Sequence, residues 1–371
     1  MMCARIVAGL LVVVSASLLP TTAAAHAQQP GVVTDSSAIE GRLHVAGAAS
    51  ATRLTYWSRG PRGPMRSTGV VYVPEGDAPA GGWPIVAYAH GTVGLADQCV
   101  FTMQARDYYL DSVYPDLLRA GYAVVVSDYV GLGTEGTHPY LDGPAQARSV
   151  VDGVRAARAL TPTLGVDWAV VGQSQGGQSA LFTGNLGPGD AKELRLRGVA
   201  ATGPASNLEL LVPLAGPWIP RLPLRNTTTY FAMLLAGLRD NAPELNIDGY
   251  LTPLGRRSVE LAATTCMTEA DEQLGEVSIG SMLSRPLNDP ALLAETHRML
   301  HVPTDGYSVP VLIGQGATDQ DVPAPLTAAL AAQLRLSGTD VQVEVYQGDH
   351  LATARDSFAD VLVFLRRVMG P

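Results

Sequence analysis

Two rhythms of apolar and polar positions run along this chain. Short apolar runs recur at Pro84-Ile85-Val86-Ala87-Tyr88-Ala89, Tyr122 to Asp128, Trp168-Ala169-Val170-Val171, Val199-Ala200-Ala201-Thr202 and Val309-Pro310-Val311-Leu312-Ile313-Gly314. These predict strands. Val341 to Tyr346 alternates and predicts another. Longer stretches between them have helical spacing: Tyr108 to Ala120, Gln178 to Leu186 and Phe358 to Val368. The clearest is Gly143 to Leu160, which carries Ala147, Val150, Val151, Val154 and Ala157 along one face. Strand–helix alternation of this kind predicts an α/β fold with a mostly parallel central sheet and helices on both faces. Thr52 to Ser58 and Gly69 to Val73 predict two early strands joined by the turn Gly60-Pro61-Arg62-Gly63-Pro64. Residues 28–50 read as a polar, small-residue lead-in. Residues 205–300 break the alternation. They open on the proline-punctuated Val212 to Pro223, and then Thr228 to Leu238 presents a broad apolar helical face.

The stretch Gly172-Gln173-Ser174-Gln175-Gly176-Gly177 joins a predicted strand to a predicted helix. A serine at such a turn is forced into a strained backbone conformation that pushes its hydroxyl clear of the sheet. Side chains at 172 and 176 would collide where strand and helix cross. A bare G-x-S-x-G arises by chance; the strand before it and the helix after it make Ser174 a candidate nucleophile.

A serine needs a base, and the base needs an acid to orient it. In this arrangement the acid and then the histidine follow the serine along the chain. His350 lies near the C-terminus in Gln347-Gly348-Asp349-His350-Leu351, a loop after the last predicted strand. His297 and His301 are weaker candidates, in a helical segment that precedes any suitable acid. After the strand ending at Gly314, the loop Gln315 to Pro323 offers Asp319 and Asp321. Asp321 suits a helix N-cap, with Pro323 in the first turn, which leaves Asp319 for the catalytic role and Asp321 as the alternative. An oxyanion hole needs two backbone N–H donors. Gln175, just after the serine, supplies one; Gly91 or Thr92, in the loop His90-Gly91-Thr92, supplies the second. His90 reads as structural, fixing that loop by a hydrogen bond. Asp128, at a strand's C-terminal end, also reads as structural. Asp152 and Arg155 read as a solvated i,i+3 pair.

Arg5, the apolar run Ile6 to Leu19 and Ala25-His26-Ala27 together read as a signal peptide over residues 1–27. The apolar run is short for a membrane span, so no integral membrane association is expected. The 371-residue chain carries a net charge of −9, and loss of Arg5 makes it more negative. That balance argues against nucleic acid and anionic membrane surfaces as partners. No Cys/His cluster has zinc spacing and no glycine-rich loop fits a nucleotide, so neither metal nor cofactor is expected. Asn226-Thr227-Thr228 is a glycosylation sequon, relevant only in a host with that machinery.

Taken together, A-H-G-T at 89–92, S-D-Y-V-G-L-G at 127–133, G-Q-S-Q-G-G at 172–177, G-A-T-D-Q-D-V-P at 316–323 and G-D-H at 348–350 resemble the secretory lipase family of α/β-hydrolases. The resemblance runs from about residue 50 to the end and is most specific around Ser174 and Asp319. It implies carboxylic-ester hydrolysis by an α/β-hydrolase core, residues 28–204 and 301–371, beneath an inserted, mainly helical cap, residues 205–300. One departure is Gln173, where relatives often carry a tyrosine. Two cysteines follow the leader, Cys99 and Cys266. An even count in an oxidising compartment favours a bridge, and the family's similarly placed disulfide implies the same pair; two buried thiols are the alternative. The expectation is a secreted serine esterase or lipase using Ser174, His350 and Asp319 through an acyl-enzyme. Its substrate would be a small, lipid or polymeric ester. The apolar face of 228–238 then reads either as packing within the cap or as a wall for the acyl chain. Acyl transfer or amide hydrolysis on the same fold is a second reading. A non-catalytic binding protein is a third, disfavoured because all three triad members are present.

Overall fold

The computed structural model of the protein describes residues 28–370, so the leader predicted for 1–27 lies outside the described residues. Among these, nine strands form one sheet: β1 (Val33–Ala38), β2 (Ala48–Gly60), β3 (Gly63–Pro74), β4 (Trp83–Ala89), β5 (Ala123–Val130), β6 (Leu164–Gln173), β7 (Arg195–Thr202), β8 (Val311–Gly316) and β9 (Val341–Tyr346). Their order is β1-β2-β3-β5-β4-β6-β7-β8-β9. The pairs from β1 to β5 are antiparallel; those from β5 to β9 are parallel. Every residue of β5 and of β8 is buried, so both faces of the parallel part are covered. Continuous apolar runs are what such strands require. β9, at the sheet's edge, stays half-exposed and keeps its alternating sequence.

The helices are α1 (Tyr114–Arg119), α2 (Gly143–Leu160), α3 (Gln175–Asp190), α4 (Thr227–Asn241), α5 (Pro253–Thr264), α6 (Met267–Leu274), α7 (Ile279–Met282), α8 (Pro290–Leu300), α9 (Ala324–Leu336), α10 (His350–Asp356) and α11 (Phe358–Met369). α2 matches its predicted bounds. Asp142 caps it by accepting from the Ala145 N–H at 3.0 Å, and the predicted apolar face is buried. The helix predicted over 108–120 is divided: a π-helical turn, Tyr109–Val113, precedes α1. The lead-in 28–50 contains β1, whose exposed, polar VTDSSA sequence carries no strand pattern and whose form depends on pairing with β2.

Asp152 is not solvated. It is fully buried and accepts from Ser58 Oγ at 2.8 Å and from Arg155 Nη1 at 2.9 Å. Burial pushes its carboxyl above the usual carboxylate range, against the pull of those two donors. Helical spacing marked one packed face of α2, but the opposite turn is covered too, by β2. Asp128 has the structural role expected of it: it accepts from Thr68 Oγ1, Thr102 Oγ1 and the Thr102 N–H.

Helices α4 to α8 all fall between β7 and β8. They share a second apolar cluster, with Met233, Leu235, Val259, Met282 and Leu292 at its centre, distinct from the cluster around the sheet. Cys99 and Cys266 form a disulfide with Cα atoms 5.4 Å apart. Beside it Gly94 pairs with Cys266 in an isolated antiparallel bridge, and the Met267 N–H donates to Val93 O at 2.9 Å. The inserted helices are thus fastened to the loop after β4. No described helix is long and apolar enough to cross a membrane.

Candidate active site

β6 ends at Gln173, α3 begins at Gln175, and Ser174 between them has φ 60° and ψ −120°. A non-glycine residue there is strained, and the surroundings hold it. The Ser174 N–H donates to Thr202 O on β7 at 2.9 Å, while Ser174 O accepts from Gln178 and Ala205. The glycines supply the close approach. A Cβ at 172 would fall 2.0 Å from Gly176 O, and one at 176 would fall 1.9 Å from Ala89 O at the end of β4. Strand β6, helix α3 and strand β4 therefore meet without side chains between them.

The other candidates arrive from the C-terminal ends of neighbouring strands. His350 stands after β9, as the first residue of α10 rather than in an open loop; Asp349 caps that helix through the Ala352 N–H at 3.0 Å. The histidine is buried, and its Nδ1 lies 2.6 Å from Asp319 Oδ2. Asp319, in the loop after β8, is held on its other oxygen: Oδ1 accepts from the Asp321 N–H at 2.9 Å and the Val322 N–H at 2.8 Å. Gln315 Nε2 adds a longer bond to Oδ2, at 3.3 Å. The Asp319 contact fixes Nδ1 as the protonated ring nitrogen and leaves Nε2 as the basic one. His350 Nε2 is buried and makes no hydrogen bond among the described residues. Gly203, at the end of β7 with φ +51°, makes room for the pair: a Cβ there would lie 3.0 Å from His350 Cε1.

Asp321 does not cap the following helix, as was expected. Pro323 occupies that position, and no side chain caps it. The Asp321 carboxylate turns instead to the inserted helices: Oδ1 accepts from Tyr230 OH at 2.8 Å and from Asn226 Nδ2 at 2.6 Å. The sequon asparagine is therefore turned inward, its amide nitrogen already bonded to the acid loop. Tyr230 and Asn226 lie about ninety residues away in sequence, and no local spacing foretells this meeting.

The loop after β4 lies against the elbow. A Cβ on Gly91 would be 2.6 Å from Gln173 Oε1 and 3.6 Å from Ser174 Cβ. The Thr92 hydroxyl pairs with Tyr140 OH at 2.7 Å. His90 has its expected structural place, with Nδ1 2.7 Å from Gly91 O and its ring stacked on Phe101. Burial lowers its pKa to about 4, so it is neutral. The sequence reading missed a second buried histidine. His138, also lowered to about 4 by burial, donates from Nδ1 to Val130 O at 2.9 Å and accepts at Nε2 from Gln175 Nε2, 2.8 Å away. The same amide donates to Gln146 Oε1 at 2.8 Å. Gln175, whose backbone was proposed as a donor, is thereby held by its side chain. His297 stacks on His301, and His301 Nδ1 sits 2.9 Å from Glu209 Oε1; neither enters the cluster around Ser174.

Ser174 and Gln175 open into a cavity of about 330 Å³, within the size range of small-molecule sites. Its walls are mostly apolar and come largely from the insertion: Leu211, Leu214, Ile219, Phe231 and Leu234 among them. α4 serves two purposes. Ala232, Met233 and Leu235 are buried in the insertion's own core, whereas Thr227, Tyr230, Phe231 and Leu234 line the cavity. The apolar face is therefore divided between packing within the insertion and lining the cavity, on different sides of one helix. Leu211 and Leu214 line the cavity yet are 47% and 60% exposed, so its mouth opens along the segment after β7.

A mostly parallel sheet with a strained strand-to-helix serine turn and an acid–histidine pair brought up by the last two strands defines an α/β-hydrolase. Residues 99–357 match the profile of the family described as Secretory lipase, and the chain belongs to the secretory lipase family. Among solved structures of similar fold is Candida antarctica lipase A in its closed state, at 17% identity and TM-score 0.73, covering 92% of this chain and 83% of that one. Another is the rice cell wall degrading esterase LipA from Xanthomonas oryzae, at 20% identity and TM-score 0.71, covering 91% and 98%. At these identities the likeness is one of fold. No curated protein matches the chain in sequence.

Proposed function

We propose that the protein is a secreted carboxylic-ester hydrolase acting through Ser174, His350 and Asp319. The leader over residues 1–27 would be removed on export, and residues 205–300 would form a cap over a core of 28–204 and 301–371. The observation that carries the reading is the 2.6 Å His350–Asp319 contact after the last two strands, together with a strained serine at the β6–α3 turn that opens into a mostly apolar cavity. In this mechanism His350 Nε2 takes the Ser174 proton as Oγ attacks the ester carbonyl. Asp319 stabilises the imidazolium through Nδ1–H, without itself taking the proton. The carbonyl π electrons move to oxygen, and the N–H groups of Gln175 and of Gly91 or Thr92 receive that charge. Collapse of the intermediate breaks the bond to the alcohol, which leaves with the proton from Nε2. Water, deprotonated by the same nitrogen, then attacks the acyl-serine; the acyl–Oγ bond breaks, Oγ takes the proton back from Nε2, and the acid is released. The apolar walls support an acyl chain as the occupant. The Cys99–Cys266 bridge and the family support export to an oxidising compartment. The test is stoichiometric labelling by a fluorophosphonate probe together with hydrolysis of p-nitrophenyl esters of graded chain length. A chain that takes no label and cleaves no ester refutes the proposal.

A further inference from the structure

A mostly apolar cavity holds one carboxylate. Asp321 is the only acidic side chain among the described residues that line the space into which Ser174 opens. A lone carboxylate against apolar walls is costly unless its lone pairs are filled. Here the filling is one-sided. Both donors from α4 and its start, Tyr230 OH and Asn226 Nδ2, go to Oδ1. No donor among the described residues reaches Oδ2, and no Lys, Arg or His nitrogen lies within 4.0 Å of the group. The polar atoms nearest in character are already engaged: Tyr140 OH pairs with Thr92, and Tyr230 OH is spent on Asp321 itself. Oδ2 therefore keeps an unused accepting capacity on a residue that lines the cavity containing Ser174.

An unsubstituted acyl chain filling this space strips water from Oδ2 and returns nothing. A chain with a hydroxyl at the right distance donates O–H to it. A chain ending in a carboxylate brings a second negative charge to the same wall. Resting on the ester-hydrolase reading above, we propose that Asp321 is a specificity-determining residue, which makes the site prefer esters of hydroxylated acyl groups and reject acyl groups that carry a carboxylate. The hydrogen bonds to Oδ1 hold the carboxylate in one orientation, so the preference should depend on where the hydroxyl sits along the chain. A hydrogen bond to a charged acceptor corresponds to about tenfold to a hundredfold in kcat/KM.

The test measures kcat/KM for methyl esters of one medium-chain acid, unsubstituted, hydroxylated at successive carbons, and as the monoester of the matching dicarboxylic acid. The wild-type protein should favour one or two hydroxyl positions by about tenfold or more and should cleave the monoester poorly. Asp321→Asn keeps an oxygen for Tyr230 and Asn226 but turns an N–H toward the cavity. It should abolish the hydroxyl preference and improve cleavage of the dicarboxylic monoester. Tyr230→Phe loosens the tie to α4 while leaving Oδ2 in place, and it should retain the preference. Equal wild-type rates at every hydroxyl position overturn the proposal, whether or not the variants fold. So does an Asp321→Asn protein with the wild-type pattern, or a Tyr230→Phe protein that loses the preference as fully as Asp321→Asn, which would make Asp321 only a clamp for α4. A wild-type protein that cleaves none of these esters and takes no fluorophosphonate removes the underlying hydrolase reading; one that takes the label and cleaves without discrimination removes this inference alone.

Discussion

The strand ends that carry Ser174, Asp319 and His350 and the helices inserted between β7 and β8 are built on different terms. At the strand ends the serine and the acid are each held by several bonds. Ser174 is strained, and backbone bonds to Thr202, Gln178 and Ala205 hold it there. Asp319 accepts from two backbone N–H groups and from Gln315 before it meets His350. The inserted helices have their own apolar cluster, short turns of 3-10 helix and leucines left in the open. They meet the core through the Cys99–Cys266 bridge, the Asn226–Tyr230–Asp321 contacts, the Arg298–Asp142 ion pair and the bonds of Thr137 to Asp240 and Asn241. The candidate triad thus lies where backbone hydrogen bonds hold the serine and the acid. Most of the cavity wall comes from the inserted helices, and substitutions in the two regions should separate rate from selectivity.

The sharpest break is expected at the serine. Ser174→Ala should lower turnover by up to about six orders of magnitude and abolish fluorophosphonate labelling, with the melting temperature nearly unchanged. A burst of product from that variant would contradict the assignment. Next is the acid. Asp319→Asn should cost about 10⁴ in kcat by favouring the wrong histidine tautomer, whereas Asp321→Asn should change which ester is preferred. If Asp321→Asn is the inactive variant, the two roles are reversed.

Reduction of the disulfide tests how much of the insertion's attachment depends on the bridge. The bridge spans 167 residues, and the chain-entropy estimate for so long a loop is about 5 kcal/mol as an upper value. Differential scanning calorimetry with and without reductant should show a lower melting temperature; equal values would mean that packing alone secures the insertion. Acid should act on the core. His90 and His138 have pKa values lowered to about 4 by burial, below the ordinary value near 6.5. Between those pH values the unfolded chain binds protons that the native protein does not, so stability falls as the pH drops from about 6.5 to about 4. The upper limit is about 3 kcal/mol for each histidine. Melting temperatures across that range that stay flat would show that one or both rings are charged in the native state. The smallest effect is expected in the cavity wall. Phe231→Ala should lower kcat/KM several-fold for long-chain esters and leave short-chain esters nearly alone, read from the chain-length profile.

Local sequence determined what depends on neighbours along the chain. Buried parallel strands need unbroken apolar runs, so β4 to β8 were legible, and α2 was legible at both of its bounds. The Ser174 turn was legible because its glycines are forced by a crossing of adjacent elements. Chain order narrowed the base to His350 and the acid to two aspartates. Only the tertiary structure decided the rest, because those choices are made by groups far apart in sequence. Asp319 rather than Asp321 faces His350 because consecutive backbone N–H groups claim its other oxygen, while two side chains from α4 claim Asp321. Asp152 is buried because β2 covers a turn of α2 that its own spacing leaves polar. β1 exists because β2 offers it a partner. The cavity is likewise beyond any one-dimensional pattern: its walls come from 140 to 326, and the direction in which Asp321 points is set by a contact across about ninety residues of chain.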